Sequence, residues 1–284
     1  MWAAAFALNK WLLYGALSVC VGGTAAVLQW TPRGDVRPQA RTYLLPAAIA
    51  GLLFTVSGFL LQVGTFAEAG LSGMFDPLYL SILWESPAGE VALLLVPGFA
   101  VAALAAICLL QGRNRAAAIL WLVAAVLLLL PFSWRGHTAE SSLWVRAALS
   151  LHAGLAAWWM GALYPLWRLS RQGDPAQYGA AMARFGQQAS WLVALLVICG
   201  TWVLYSLLGG FGALVQGSYG LAMLVKLALV ASLLLLAAQN KWRLVPQLPN
   251  TAAGLSGSIR AEMLVGTAIL LATALLSTLT GPGH

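Results

Sequence analysis

Charge is what this 284-residue chain has least of. Asp, Glu, Lys and Arg together make up 8% of it, and 61% is hydrophobic, against about 25% and about 45–50% in a soluble domain. That deficit excludes a water-soluble globule. The three cysteines, Cys20, Cys108 and Cys199, are too far apart for a C-x-x-C pair, so neither a disulfide framework nor a zinc knuckle is implied. Alternation of apolar and polar residues is missing, which argues against a membrane β-barrel. No Walker loop, no H-E-x-x-H and no arguable Ser-His-Asp set is present, and the expectation is that the protein is not an enzyme. No long polar stretch remains for a soluble domain.

What the chain has is apolar runs of membrane-spanning length. A helix needs about 17–25 apolar residues to cross hydrocarbon, and eight runs qualify, near 6–29, 42–66, 89–111, 115–133, 144–169, 186–209, 217–239 and 260–280. The first has no basic stretch before it and no convincing cleavage site after it, so it reads as a retained helix rather than a signal peptide. The expected fold is therefore an all-α polytopic membrane protein of eight transmembrane helices, embedded in a lipid bilayer.

Basic residues orient it. Eleven of fifteen fall on one side: Arg33, Arg37 and Arg41, then Arg113 and Arg115, then Arg168, Arg171 and Arg184, then Lys241, Arg243 and Arg260. By the positive-inside rule that side is cytoplasmic and both termini face out. The net charge of +7 is then a topology signal, and no nucleic-acid partner is expected.

A weak internal repeat divides the chain. Residues 11–30 pair with 150–167, and 86–106 with 218–238, Gly89 falling on Gly220. Two apolar runs also end alike, on Gly-His, at His137 and His284. Each half holds an even number of spans, so residues 1–137 and 138–284 read as two parallel four-helix halves. Parallel repeats of this kind occur among transporters, with sites between the halves.

Polar residues inside a bilayer are costly, about 2.5–3.5 kcal/mol for a central charge on insertion scales, and mark function by default. His152 lies about eight residues into the fifth span and Lys226 about nine into the seventh, both counted from the outer side. Met160, eight residues after His152, and Met223, three before Lys226, stand at helical spacing on the faces of those residues. Glu90 opens the third span at the outer surface. Glu262, near the inner surface, is expected to snorkel beside Arg260, and Trp159 flanks the His152 face too deep for an interfacial belt. Methionine is more often adaptable packing than ligand.

These residues carry a resemblance. The stretch "RGHTAESSLWVRAALSLHAGLAAWWMGALYPLW" followed by "ARFGQQASWLVALLVICGTW", "SYGLAMLVKLALV" and "RAEMLVGTAILLATALLSTL" resembles the copper resistance protein D (CopD) family of bacterial inner-membrane proteins. The matching positions are Gly136 and His137, His152 with Trp159 and Gly161, Phe185, Lys226 and Glu262. Over 1–133 the likeness is mainly helix count and order. Helix 1 departs from the family pattern, with Tyr14 or Leu13 where many members carry a histidine.

The resemblance implies copper handling in homeostasis or resistance: binding of a copper ion at a periplasm-facing site and its transport across the inner membrane, commonly beside a periplasmic copper-binding protein of the CopC type. Imidazole suits both copper oxidation states and thioether sulfur suits Cu(I). The expected metal ligands are His137, His152 and His284, with Met160 and Met223 as soft neighbours. Glu90, Lys226, Glu262 and Trp159 are supporting residues, Glu90 or Glu68 being considered as the acceptor behind an imidazole. Two alternatives stay open: a haem protein with histidine axial ligands, and a docking or sensing subunit that binds copper without moving it.

Overall fold

The computed structural model describes residues 2–30, 36–133, 142–172, 175–208, 210, 212, 214 and 217–279, and helix is their regular structure throughout. In chain order these are α1 (Trp2–Trp30), α2 (Arg37–Ala67), α3 (Pro77–Trp84), α4 (Pro87–Leu110), α5 (Asn114–Ser133), α6 (Leu143–Gln172), α7 (Pro175–Leu208), α8 (Gly217–Gln239) and α9 (Ala252–Leu279). The expected all-α polytopic architecture is present. The region 67–88, between the second and third apolar runs, folds a short 3₁₀ segment (Gly70–Phe75) and then α3. The cause is local. Pro77 takes the first helical position, and Asp76 before it caps the backbone N–H groups of Leu78 and Tyr79 at 2.9 and 3.3 Å.

Seven helices among the described residues are long and apolar enough to cross a membrane: α1, α2, α4, α5, α7, α8 with the turns that follow it, and α9. Their outward faces carry exposed Leu53, Ile119, Leu235 and Leu264, each more than 60% accessible. Water would not tolerate so much apolar surface, whereas hydrocarbon does. The remaining long helix, α6, has 30 residues but is the least apolar and most two-faced of the set. His152, Trp158, Trp159 and Tyr164 lower its hydropathy. The fold shelters it: α1, α5, α7 and α9 all pack on α6, burying Ala157, Trp159, Ala162, Leu163 and Leu166.

Buried apolar side chains gather into two main cores. One joins α1, α2, α4 and α5 through Leu17, Ala48, Phe99 and Leu128; the other joins α6, α7, α8 and α9 through Leu163, Met182, Leu233 and Ile259. Helices α1 and α6 stitch the two together. Ala157 of α6 enters the first core, and Ala26 and Trp30 of α1 enter the second.

At their crossing the two helices touch backbone to backbone. A Cβ at Gly161 would collide with the Ser18 carbonyl oxygen and stand 2.6 Å from the Gly23 nitrogen, and one at Gly22 would strike the carbonyls of Ala157 and Trp158. Small residues permit this approach, the usual way helices associate where lipid removes the hydrophobic drive. On the α1 side the crossing coincides with a π-helical turn, Val19–Gly23. Such a turn frees carbonyls from the helical ladder, and here Trp121 donates its indole N–H to the Val21 oxygen at 2.8 Å. Tyr43 donates likewise to the Gly161 oxygen at 2.8 Å.

Polar bonds hold α1 at its N-terminal end. Lys10 Nζ donates to the Ser277 carbonyl at 2.8 Å and to the Ser277 and Thr278 hydroxyls at 3.1 and 3.3 Å. It thereby places its charge at the C-terminus of α9, where the helix dipole favours a cation. Asn9 donates to the Phe54 carbonyl at 2.9 Å and accepts from Ser57 at 2.7 Å.

Candidate metal centre

His152 sits on the α7-facing side of α6, half-buried. Its Nδ1 lies 3.0 Å from the Leu196 carbonyl oxygen of α7. A carbonyl can only accept, so Nδ1 carries the proton and donates, which leaves the lone pair of the neutral ring on Nε2. This is the arrangement a metal-binding histidine uses, one nitrogen fixed by an acceptor and the other free to coordinate. Glu90 and Glu68 do not supply that acceptor. Glu90 lies exposed in the first turn of α4, Glu68 closes α2, and the backbone of α7 takes the role.

The ring fits because α7 has a glycine at its contact point. A Cβ at Gly200 would stand 2.7 Å from His152 Cε1 and 2.9 Å from Nδ1, inside any tolerated distance. Gly200→Ala must therefore rotate the imidazole away from Leu196. For a copper ligand at His152, as the family resemblance implies, the expected outcome is at least a tenfold loss of copper affinity, the scale on which orienting partners act, with helix content unchanged by circular dichroism; equal affinity in titrations of the two proteins would refute it.

Other expected site residues are spread along the bundle. Lys226, half-buried on α8, comes within electrostatic range of His152 and makes no hydrogen bond or ion pair among the described residues. Met223 stands three residues before it, partly buried. Met160 does not share the His152 face as expected: its sulfur rests where a Gly266 Cβ would be, against α9, while His152 turns to α7. The eight-residue spacing leaves an angular offset of about 80° at 3.6 residues per turn, enough to send the two side chains to different neighbours. His137 and His284 lie outside the described residues. Among those described, no group of three or more His, Cys, Asp or Glu side chains could hold a metal ion.

Glu262 also departs from expectation. It does not snorkel beside Arg260 but is buried at 3% exposure, accepting a hydrogen bond from Asn240 Nδ2. Asn240 opens a π-helical turn, Asn240–Leu244, at the C-terminal end of α8. The buried Trp159 indole N–H comes near the same carboxyl without reaching hydrogen-bond geometry. Asn240 escaped the sequence reading because an Asn after an apolar run reads as a helix end. Gly200 escaped it because nothing local marks one glycine of an apolar helix as a docking point for a ring.

Residues 1–147 match the family described as copper resistance protein D-like, N-terminal domain, and residues 179–276 match copper resistance protein D. The chain belongs to the copper resistance protein D family. Over 289 aligned residues it is 27% identical to the copper transport protein CutJ of Bacillus subtilis (strain 168), an alignment covering 97% of this chain and 53% of that protein. The chain thus spans about half the length of that curated relative. No solved structure matches it. Membership gives the protein a copper-related function in a membrane. Lys226 and Glu262 fall within the second matched stretch and Glu90 and His137 within the first, whereas His152, Trp159 and Met160 lie between the two.

Proposed function

We propose that the protein binds copper on its periplasmic side through His152 and conducts it inward across the inner membrane, with α6 as an eighth span enclosed by the other seven. The observation that carries this reading is the imidazole fixed to Leu196 through Nδ1, with Nε2 left to coordinate. His137, placed by sequence at the outer end of the first half, is the nitrogen donor to join it, with His284 the optional member.

The two cores sharing α1 and α6 support reading residues 1–137 and 138–284 as parallel halves, and the run of inner Lys and Arg supports both termini facing the periplasm. A CopC-type periplasmic protein is the donor that the family resemblance implies. Reconstitution tests the transport reading. Proteoliposomes holding the purified protein are expected to accumulate copper at least tenfold faster than empty vesicles, and impermeant labelling at a cysteine introduced at Ser72 reports which face is outward. Uptake no faster than in empty vesicles, with copper still bound, would leave a binding or docking subunit instead.

A further inference from the structure

The buried carboxyl of Glu262 has no part in the outer copper site, yet it is the acidic side chain that the fold buries among the described residues. The cations of the packed helices are exposed or engaged elsewhere: Arg168 donates to Thr42, Arg171 lies over the Trp167 ring and Arg184 is exposed. Lys241, Arg243 and Arg260 are exposed at the inner surface, Lys241 donating to Ser190. Lys10 is engaged at the far end of α9, and Lys226 lies within electrostatic range of His152. Of the titratable groups on the other packed helices, Tyr164 of α6 rests on the Tyr43 ring, Tyr14 of α1 lies against Phe132, and Tyr178 of α7 is buried in the same apolar cluster as Trp159.

The partner that Glu262 does have is an amide. Asn240 donates to it through Nδ2, while the Oδ1 of the same amide is buried without a partner. An ionised carboxylate needs donors, whereas a protonated one needs an acceptor for its O–H. An amide supplies either, by turning over about its terminal bond. Ser258, one helical turn before Glu262, and the Trp159 indole add two more buried polar atoms without partners. Orphaned polar atoms on this scale call for an explanation, and a group that alternates between two bonding states is one. Buried intramembrane carboxyls of this kind serve as proton relays.

We infer that Glu262, with Asn240 as its two-way partner, is a reversible proton-binding site in the inner half of the bundle, and that copper movement is coupled to proton movement through it. One proton joins the carboxylate and one leaves it in each cycle; no oxidant or reductant enters. The coupling rests on the transport reading above, while the proton site stands without it.

Infrared titration of the purified, copper-free full-length protein tests the site. A protonated-carboxyl stretching band is expected that fades as the pH is raised, disappears in Glu262→Gln, persists at a displaced frequency in Glu262→Asp, and titrates about one pH unit away from the wild-type midpoint in Asn240→Ala. In proteoliposomes with a trapped pH dye, copper uptake is expected to change the internal pH, and Glu262→Gln to cut that change at least tenfold while copper bound per chain stays the same. A band untouched by Glu262→Gln, or an equal pH change in that variant, overturns the inference. Wild-type vesicles that take up no copper although the band titrates overturn the transport reading and the coupling, and leave the proton site standing.

Discussion

Replacing His152 by asparagine should lower bound copper by one ion per chain and slow uptake at least tenfold. The asparagine amide nitrogen is bonded to Cγ, as Nδ1 is, so its N–H can still donate to the Leu196 carbonyl, now held by Nδ1 at 3.0 Å. The contact between α6 and α7 therefore survives. What is lost is the Nε2 lone pair, for which an amide oxygen is a poor substitute toward copper. The loss is expected to exceed that of Gly200→Ala, which turns the imidazole without removing it. Elemental analysis of the purified variant decides the matter, with thermal unfolding as the control for intact packing. An unchanged copper content in His152→Asn, and again in the double variant with His137→Gln, would remove His152 from the site.

His152 was legible because a lone imidazole in an apolar run of spanning length is anomalous on its own terms. Which neighbour it meets was not, since that depends on the rotation of α6 about its axis and on a glycine 48 positions further along the chain. The same limit explains Met160: a spacing of eight residues says that two side chains lie near one helix face, and the faces of α7 and α9 decide where each one goes. Glu262 failed for a different reason. Proximity to Arg260 made the membrane surface the cheap destination for its charge, whereas the fold turned it inward to Asn240, a residue whose role depends on the π turn at the end of α8. Spans were readable from composition alone. Yet α6, the helix with the richest chemistry, is the one that composition supports least, because a helix surrounded by other helices need not present an apolar surface to lipid.

That enclosure makes the α1–α6 crossing the most sensitive point of the fold. Gly161→Leu is expected to abolish folded protein in detergent, and Gly161→Ala to lower the unfolding temperature clearly. A Cβ there meets the Ser18 carbonyl and the Gly23 nitrogen, both backbone atoms of a helix that cannot move aside as a side chain could. Overpacking costs about 1–3 kcal/mol where side chains give way, and more where they cannot. Separation of the helices also threatens the Tyr43 bond to the Gly161 oxygen, worth about 1 kcal/mol. Gly15→Ala is the matched control: a Cβ at Gly15, on α1 itself, meets nothing within 4 Å. It should be neutral or stabilising, by about 0.5–1 kcal/mol from helix propensity. Equal stability of Gly161→Ala and Gly15→Ala in a thermal size-exclusion assay would show that the crossing is looser than its backbone contacts require. Whatever protein survives in Gly161→Ala should also bind copper more weakly, because His152 lies nine residues toward the N-terminus of the same helix and any tilt of α6 at the crossing carries the imidazole away from Leu196.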